Sequence, residues 1–273
     1  GEGPAGLLCD GLGSDGYIWR HLRPSLALNH RVIHWHYRGH GKSDQPTRWE
    51  LLDVPTLIRD LLEVLDSYHV ERCSLLGHSM GVQVILQAAV DYPDRFESVV
   101  PICGSYGRPL DTFRGTDTML HVLPFLLEAS DRFTHAGQRL WSLVNDWPLA
   151  QEFARRNEMN ARRVAIDAVQ PYFEHLAGMD VRVFLRTLSY LRDHSVEGAL
   201  ERIQVPTLVI AGELDTFTPV WLSRKMARMI PHAELLVVPN GSHVVPLEEP
   251  ELVEERVRGF LAQHQSAAAS AAT

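Results

Sequence analysis

Three side chains far apart in the sequence, Ser79, Asp215 and His243, are of the types that acyl transfer through a serine requires. Ser79 lies in Gly77-His78-Ser79-Met80-Gly81, a Gly-x-Ser-x-Gly pentapeptide that is weak evidence on its own. Its context adds weight. The apolar run 73–76 leads into it and a helical pattern opens at Val82, so the pentapeptide is expected to form a sharp strand-to-helix turn. A serine at a strained backbone angle needs neighbours without Cβ, and Gly77 and Gly81 supply them. A nucleophilic serine also needs a base, and the base needs a carboxylate to orient it. Asp215 follows the apolar run 206–211, and His243 follows the run 233–239. Asp215 lies 136 residues beyond Ser79, which leaves room for an insertion, and His243 lies 28 further on, which fits one helix and one strand. A loop aspartate is commonly just a turn residue and a lone histidine commonly structural; the arrival of all three in this order favours a triad. Two backbone amides are expected to face the developing oxyanion, each worth about 3 kcal/mol. One is Met80 N–H. The other is Leu12 N–H, in the glycine-rich loop Cys9-Asp10-Gly11-Leu12-Gly13.

These residues need a scaffold that presents strand ends side by side. Short Val-, Ile- and Leu-rich runs at 5–9, 31–37, 73–78, 98–104, 206–211 and 233–239 alternate with helical patterns at 55–68, 82–92 and 252–260. This is the signature of an α/β fold with a mostly parallel sheet flanked by helices, all six strands reading as buried on both faces. The alternation stops between residues 105 and 195, where helical patterns occur without a convincing strand. The expected organisation is a core domain of residues 1–104 and 196–264, a helical cap at 105–195 and a disordered tail at 265–273. Inside the cap, residues 120–127 are almost continuously apolar, and Pro124 is expected to kink or end their helix. That helix could line an acyl pocket or simply pack against the sheet domain. Trp141, Trp147 and Tyr172 are expected in the core of the cap.

The sequence resembles the α/β-hydrolase superfamily, in its capped esterase, lipase and C–C hydrolase branch. The matching pieces span nearly the whole chain: Asp10-Gly11-Leu12-Gly13 with Trp19, Tyr37-Arg38-Gly39-His40-Gly41-Lys42-Ser43, the pentapeptide around Ser79, Gly212-Glu213-Leu214-Asp215 with Pro219, and Gly241-Ser242-His243. The resemblance implies Ser79 as nucleophile, His243 as base, Asp215 as orienting acid, and oxyanion amides at Leu12 and Met80. Family members usually carry His-Gly where this chain has Asp10-Gly11, and Asp where it has Tyr37. These positions are neighbouring strand ends, so the two replacements could compensate each other, or a carboxylate close to the oxyanion amides could weaken them. Val82 stands where Gly is common, with a consequence expected for packing only. The hairpin that usually precedes the first strand is missing, which suggests that Gly1 begins a trimmed chain.

Composition narrows the partners. With 34 acidic and 26 basic side chains the formal charge is −8, so a footprint for nucleic acid or an anionic membrane is lacking. No apolar run reaches the roughly 20 residues of a membrane helix, so stable membrane insertion is not expected. Cys9, Cys73 and Cys103, an odd number inside apolar runs, suit buried thiols and a cytoplasmic setting. His34 and His36 share a strand face but lack a third ligand with metal-site spacing. His78 is expected to face away from substrate, and Cys103 to be core. The leading expectation is therefore a cofactor-free serine esterase that cleaves a small-molecule carboxylic ester of a small to medium apolar acyl group through an acyl-serine. The alternatives are C–C hydrolase, lactonase, thioesterase or perhydrolase chemistry on the same triad, or a ligand-binding protein without turnover.

Overall fold

Six strands form a single all-parallel sheet in the order β2-β1-β3-β4-β5-β6, with β1 Ala5–Cys9, β2 Arg31–His34, β3 Cys73–His78, β4 Phe96–Ile102, β5 Leu208–Gly212 and β6 Glu234–Val238. The computed structural model describes residues 1–271, with side chains to His264; the tail expected at 265–273 lies outside the fully described residues. Each expected strand is present. The interior strands β3, β4 and β5 are buried almost throughout, whereas β2 and β6 at the edges are partly exposed, because only one neighbour and fewer helices cover an edge.

The helices are α1 Leu22–Leu26, α2 Val54–Ser67, α3 Met80–Asp91, α4 Thr118–Arg132, α5 Thr134–Asp146, α6 Pro148–Glu158, α7 Ile166–Gly178, α8 Val181–Asp193, α9 Val220–Met229, α10 Val245–Glu248 and α11 Pro250–Ala271. Asp53 caps α2 by accepting from Thr56 N–H at 3.0 Å, and Pro55 fits the first turn, where its missing N–H costs nothing. One core lies under α2 and α3 and a second under α1, α10 and α11, so both sheet faces are covered. No helix among the described residues is long and apolar enough to cross a membrane.

Helices α4 to α8 all fall between β4 and β5. The two ends of this segment meet: Gly107 bridges Ser195, Arg108 N–H donates to His194 O at 2.9 Å and Val196 N–H to Tyr106 O at 2.9 Å. Helix α4 runs on through Pro124 instead of ending there. Its inner side chain Leu123 is buried with Leu110, Val181 and Leu185, a cluster belonging to the insertion itself and not to the sheet. Val122, Phe125 and Leu126, on the other side of α4, are exposed.

Candidate active site

The strand order reverses between β1 and β3: β1 is followed by β2 on one side, β3 by β4 on the other. The crevice beyond the carboxyl ends of such a pair is where parallel sheets bind ligands. Ser79 follows β3 at this point with φ 54° and ψ −113°, a conformation costing about 1–3 kcal/mol in an L-residue. Close packing enforces it. A Cβ on Gly77 would lie 2.6 Å from Gly81 O, and one on Gly81 would lie 2.3 Å from Cys9 O at the end of β1. Val82 fits because its neighbour gives way: a Cβ on Gly104 would lie 2.3 Å from Val82 Cγ2.

Ser79 Oγ–H donates to His243 Nε2 at 2.9 Å, and His243 Nδ1–H donates to Asp215 Oδ2 at 2.8 Å. Asp215, after β5, is 5% exposed and also accepts from Phe217 N–H (2.8 Å), Thr218 N–H (2.9 Å) and Thr218 Oγ–H (2.7 Å). These donors hold the buried carboxylate in place and aimed at the imidazole. Phe217 stacks on the His243 ring with centroids 4.9 Å apart. Leu12 and Met80 line the same cavity, and the main-chain N–H of neither has an acceptor among the described residues. Such a constellation can accept a hydroxyl proton and stabilise an oxyanion beside it.

Asp10 is met differently from expectation. Its Oδ1 accepts from Trp19 Nε1–H at 2.7 Å and its Oδ2 pairs with His34 Nε2 at 2.8 Å, while Tyr37 Oη–H donates to the Asp10 main-chain carbonyl at 3.2 Å. The partner of the carboxylate is thus His34 together with Trp19, and Tyr37 supports the backbone. His36 Nδ1 accepts from Lys42 N–H at 3.2 Å, so both strand histidines serve the loops around them.

A family model of the alpha/beta hydrolase fold matches residues 7–250. The chain belongs to that family. Among curated relatives, a "Putative carbamate hydrolase RutD" of Variovorax paradoxus is 31% identical over 265 residues, covering 96% of this chain and 93% of the relative. One of the same name from Caulobacter sp. (strain K31) is 28% identical, covering 93% and 89%. Among solved structures, a hydrolase from Pseudomonas aeruginosa is 27% identical with a TM-score of 0.74, covering 95% of this chain and 90% of that one. A thermophilic esterase from Thermogutta terrifontis shares the fold, with a TM-score of 0.78 at 22% identity and coverage of 97% and 91%.

In this alpha/beta hydrolase the space above Ser79 is a cavity of about 350 Å³ roofed by the helical insertion. Phe113, Met119, Trp141, Phe184 and Leu188 from the insertion face Tyr17, Ser79 and Phe217 from the sheet domain across it. Trp141 and Tyr172, expected in the core of the insertion, do pack against apolar clusters there and also line this cavity, whereas Trp147 is 54% exposed. Periodicity separates an inner helix face from an outer one but does not distinguish packed interior from cavity wall.

The residues that hold the His243 loop carried no motif. Buried Glu248 accepts from Ser242 N–H (2.6 Å), Ser242 Oγ–H (2.5 Å) and Asn160 N–H of the insertion (2.8 Å). Its only sequence signal is an acid six residues beyond Ser242, too common to single out. His78 Nε2–H donates to the His243 carbonyl at 2.9 Å, and the two rings are 5.0 Å apart. Burial and then the neighbouring His243 push the His78 imidazole down to about 3, so it stays neutral. Its ring borders the cavity, a correction to the expectation that it faces away. Cys103 is core as expected: it is buried, burial drives its thiol well up, and Sγ–H reaches Ser242 O at 3.6 Å.

Proposed function

We propose that this hydrolase cleaves carboxylic esters of small to medium apolar acyl groups through an acyl-Ser79 intermediate, with residues 105–195 acting as the cap over the acyl group. The observation that carries the reading is the Asp215–His243–Ser79 hydrogen-bonded chain opening onto an apolar cavity of about 350 Å³. His243 takes the Ser79 proton as Oγ attacks the carbonyl carbon, then passes it to the leaving alkoxide as the ester C–O bond breaks. Asp215 keeps the proton on Nδ1 and stabilises the imidazolium. Leu12 N–H and Met80 N–H receive the oxyanion. Water then attacks the acyl-enzyme by the same route, releasing the acid and regenerating Ser79. The engagement of both Asp10 oxygens by Trp19 and His34 supports turnover over mere binding, since the carboxylate is directed away from the oxyanion amides. Three free, buried thiols support a cytoplasmic setting.

The relatives' names make carbamates the second reading, because a carbamate presents the same kind of acyl carbon to Ser79. The apolar lining favours an ester. A chain-length series of p-nitrophenyl esters, run beside an aryl carbamate and an aryl diketone, tests the choice. Highest kcat/KM on a short or medium ester is expected. Preference for the carbamate or the diketone would overturn the ester reading, and a folded protein that a fluorophosphonate fails to label at Ser79 would overturn the nucleophile.

A further inference from the structure

Three consecutive cap helices carry a second apolar stripe on the side away from the Ser79 cavity. On α4 it centres on Phe125, which is 73% exposed; on α5 it runs through Leu140 and Leu143 to Trp147 just beyond the helix end; on α6 it is Leu149 and Phe153. The spacings of three and four residues put each set on one helix face. Helix α4 contacts α5 and α5 contacts α6, so the three stripes lie on consecutive, touching helices. The inner faces of the same helices are already occupied, α4 by Leu123 in the insertion's cluster and α5 by Trp141 at the cavity.

At 150–250 Å² for a large apolar side chain, these six leave about 700 Å² of apolar surface in water. That exceeds the roughly 300–600 Å² of the largest patch on most monomers and approaches the ~800 Å² that each partner of a standard interface buries. Charge selects the occupant. Residues 105–195 hold eleven arginines, no lysine, and eleven aspartates and glutamates, so the whole formal charge of −8 belongs to the rest of the chain. Two copies meeting cap to cap join segments of zero net charge and leave the like-charged portions at opposite ends. A segment whose arginines are matched by as many acids offers an anionic lipid surface no net basic charge of the kind that interfacial helices use.

We propose that the protein is a homodimer closed by a two-fold axis through the outer faces of α4, α5 and α6. Because a two-fold contact uses the same patch twice, one self-complementary apolar surface completes it. The dimer would hold α4 and α5, which carry Met119 and Trp141 on their inner sides, in place above Ser79.

Sedimentation velocity on the full chain at micromolar concentration, with and without phosphatidylcholine vesicles, tests this. The wild type should sediment with about twice the 30.8 kDa chain mass and stay out of the vesicle fraction. The variant Leu143→Glu/Phe153→Glu should sediment as the 30.8 kDa monomer with an unchanged far-ultraviolet circular-dichroism spectrum, while Leu28→Glu, at a 70% exposed site outside the cap, stays dimeric. Should the double variant misfold, Leu149→Ser provides the milder cut, expected to raise the dimer dissociation constant at least tenfold. A monomeric wild type, a dimer that survives these substitutions, or a monomer that floats with the vesicles would overturn the proposal.

Discussion

Ser79 combines two physical demands in one residue: a positive φ that an L-side chain resists, and an Oγ within 2.9 Å of an imidazole nitrogen. In the proposed mechanism, removal of the hydroxyl removes the covalent step. Ser79→Ala should therefore lower kcat by about 10⁴–10⁶-fold with little change in fold, read as p-nitrophenyl ester turnover and a retained melting temperature. Asp215→Asn keeps the shape but leaves His243 without a proton acceptor at Nδ1, so a loss of about 10⁴-fold is expected in the same assay. Glu248 acts one step back, through the Ser242 contacts that set the height of the His243 loop. Glu248→Gln should lower kcat roughly 10–100-fold at near-constant KM, because it displaces His243 without touching the cavity above Ser79. An equal rise in KM would place Glu248 outside this positioning role.

At the scale of elements, the site exists because β1 and β3 are neighbours whose connections leave in opposite directions. This sets the loop bearing Leu12 beside the turn bearing Ser79. The distance between them is bounded by glycine: a Cβ on Gly11 would come within 3.1 Å of Ser79 Cβ, and one on Gly81 would collide with the end of β1. Gly81→Ala should cost at least about 1–3 kcal/mol, since backbone and not a flexible side chain would have to move. Denaturant unfolding reads the loss, and ester turnover should fall with it as the Ser79 turn opens. A variant of wild-type stability would mean that α3 and β1 are not in this contact.

For the molecule as a whole, two buried histidines link folding to pH. Burial lowers the His40 imidazole to about 4 and the His78 imidazole to about 3, against an ordinary 6.5. Between pH 6.5 and about 4 the unfolded chain binds protons at both positions that the folded protein refuses. Stability should therefore fall as pH drops through this window, by a few kcal/mol at its lower end. The dependence is the reverse of that of a histidine stabilised by an acidic partner. His40→Gln removes one of the two sites and should flatten the melting temperature against pH over that window; an unchanged slope would show that His40 is protonated in the folded state.

By itself the sequence determined the alternation that makes a parallel sheet, because strands buried on both faces need runs rich in Val, Ile and Leu such as Leu208-Val209-Ile210 of β5. It also determined that Ser79, Asp215 and His243 fall near strand ends, since each follows such a run within a few residues. Local chemistry was equally legible in Gly77 and Gly81, whose missing Cβ atoms betray close approach before the approaching strand is known. Only the tertiary structure decided what depends on elements distant in the chain. Asp10 finds His34 and Trp19 rather than the Tyr37 hydroxyl, Glu248 reaches both Ser242 and Asn160, and Trp141 lines a cavity while Trp147 faces outward. Hydrophobic periodicity reports which residues share a helix face, but whether that face meets a core, a cavity or water is set by the helices packed around it.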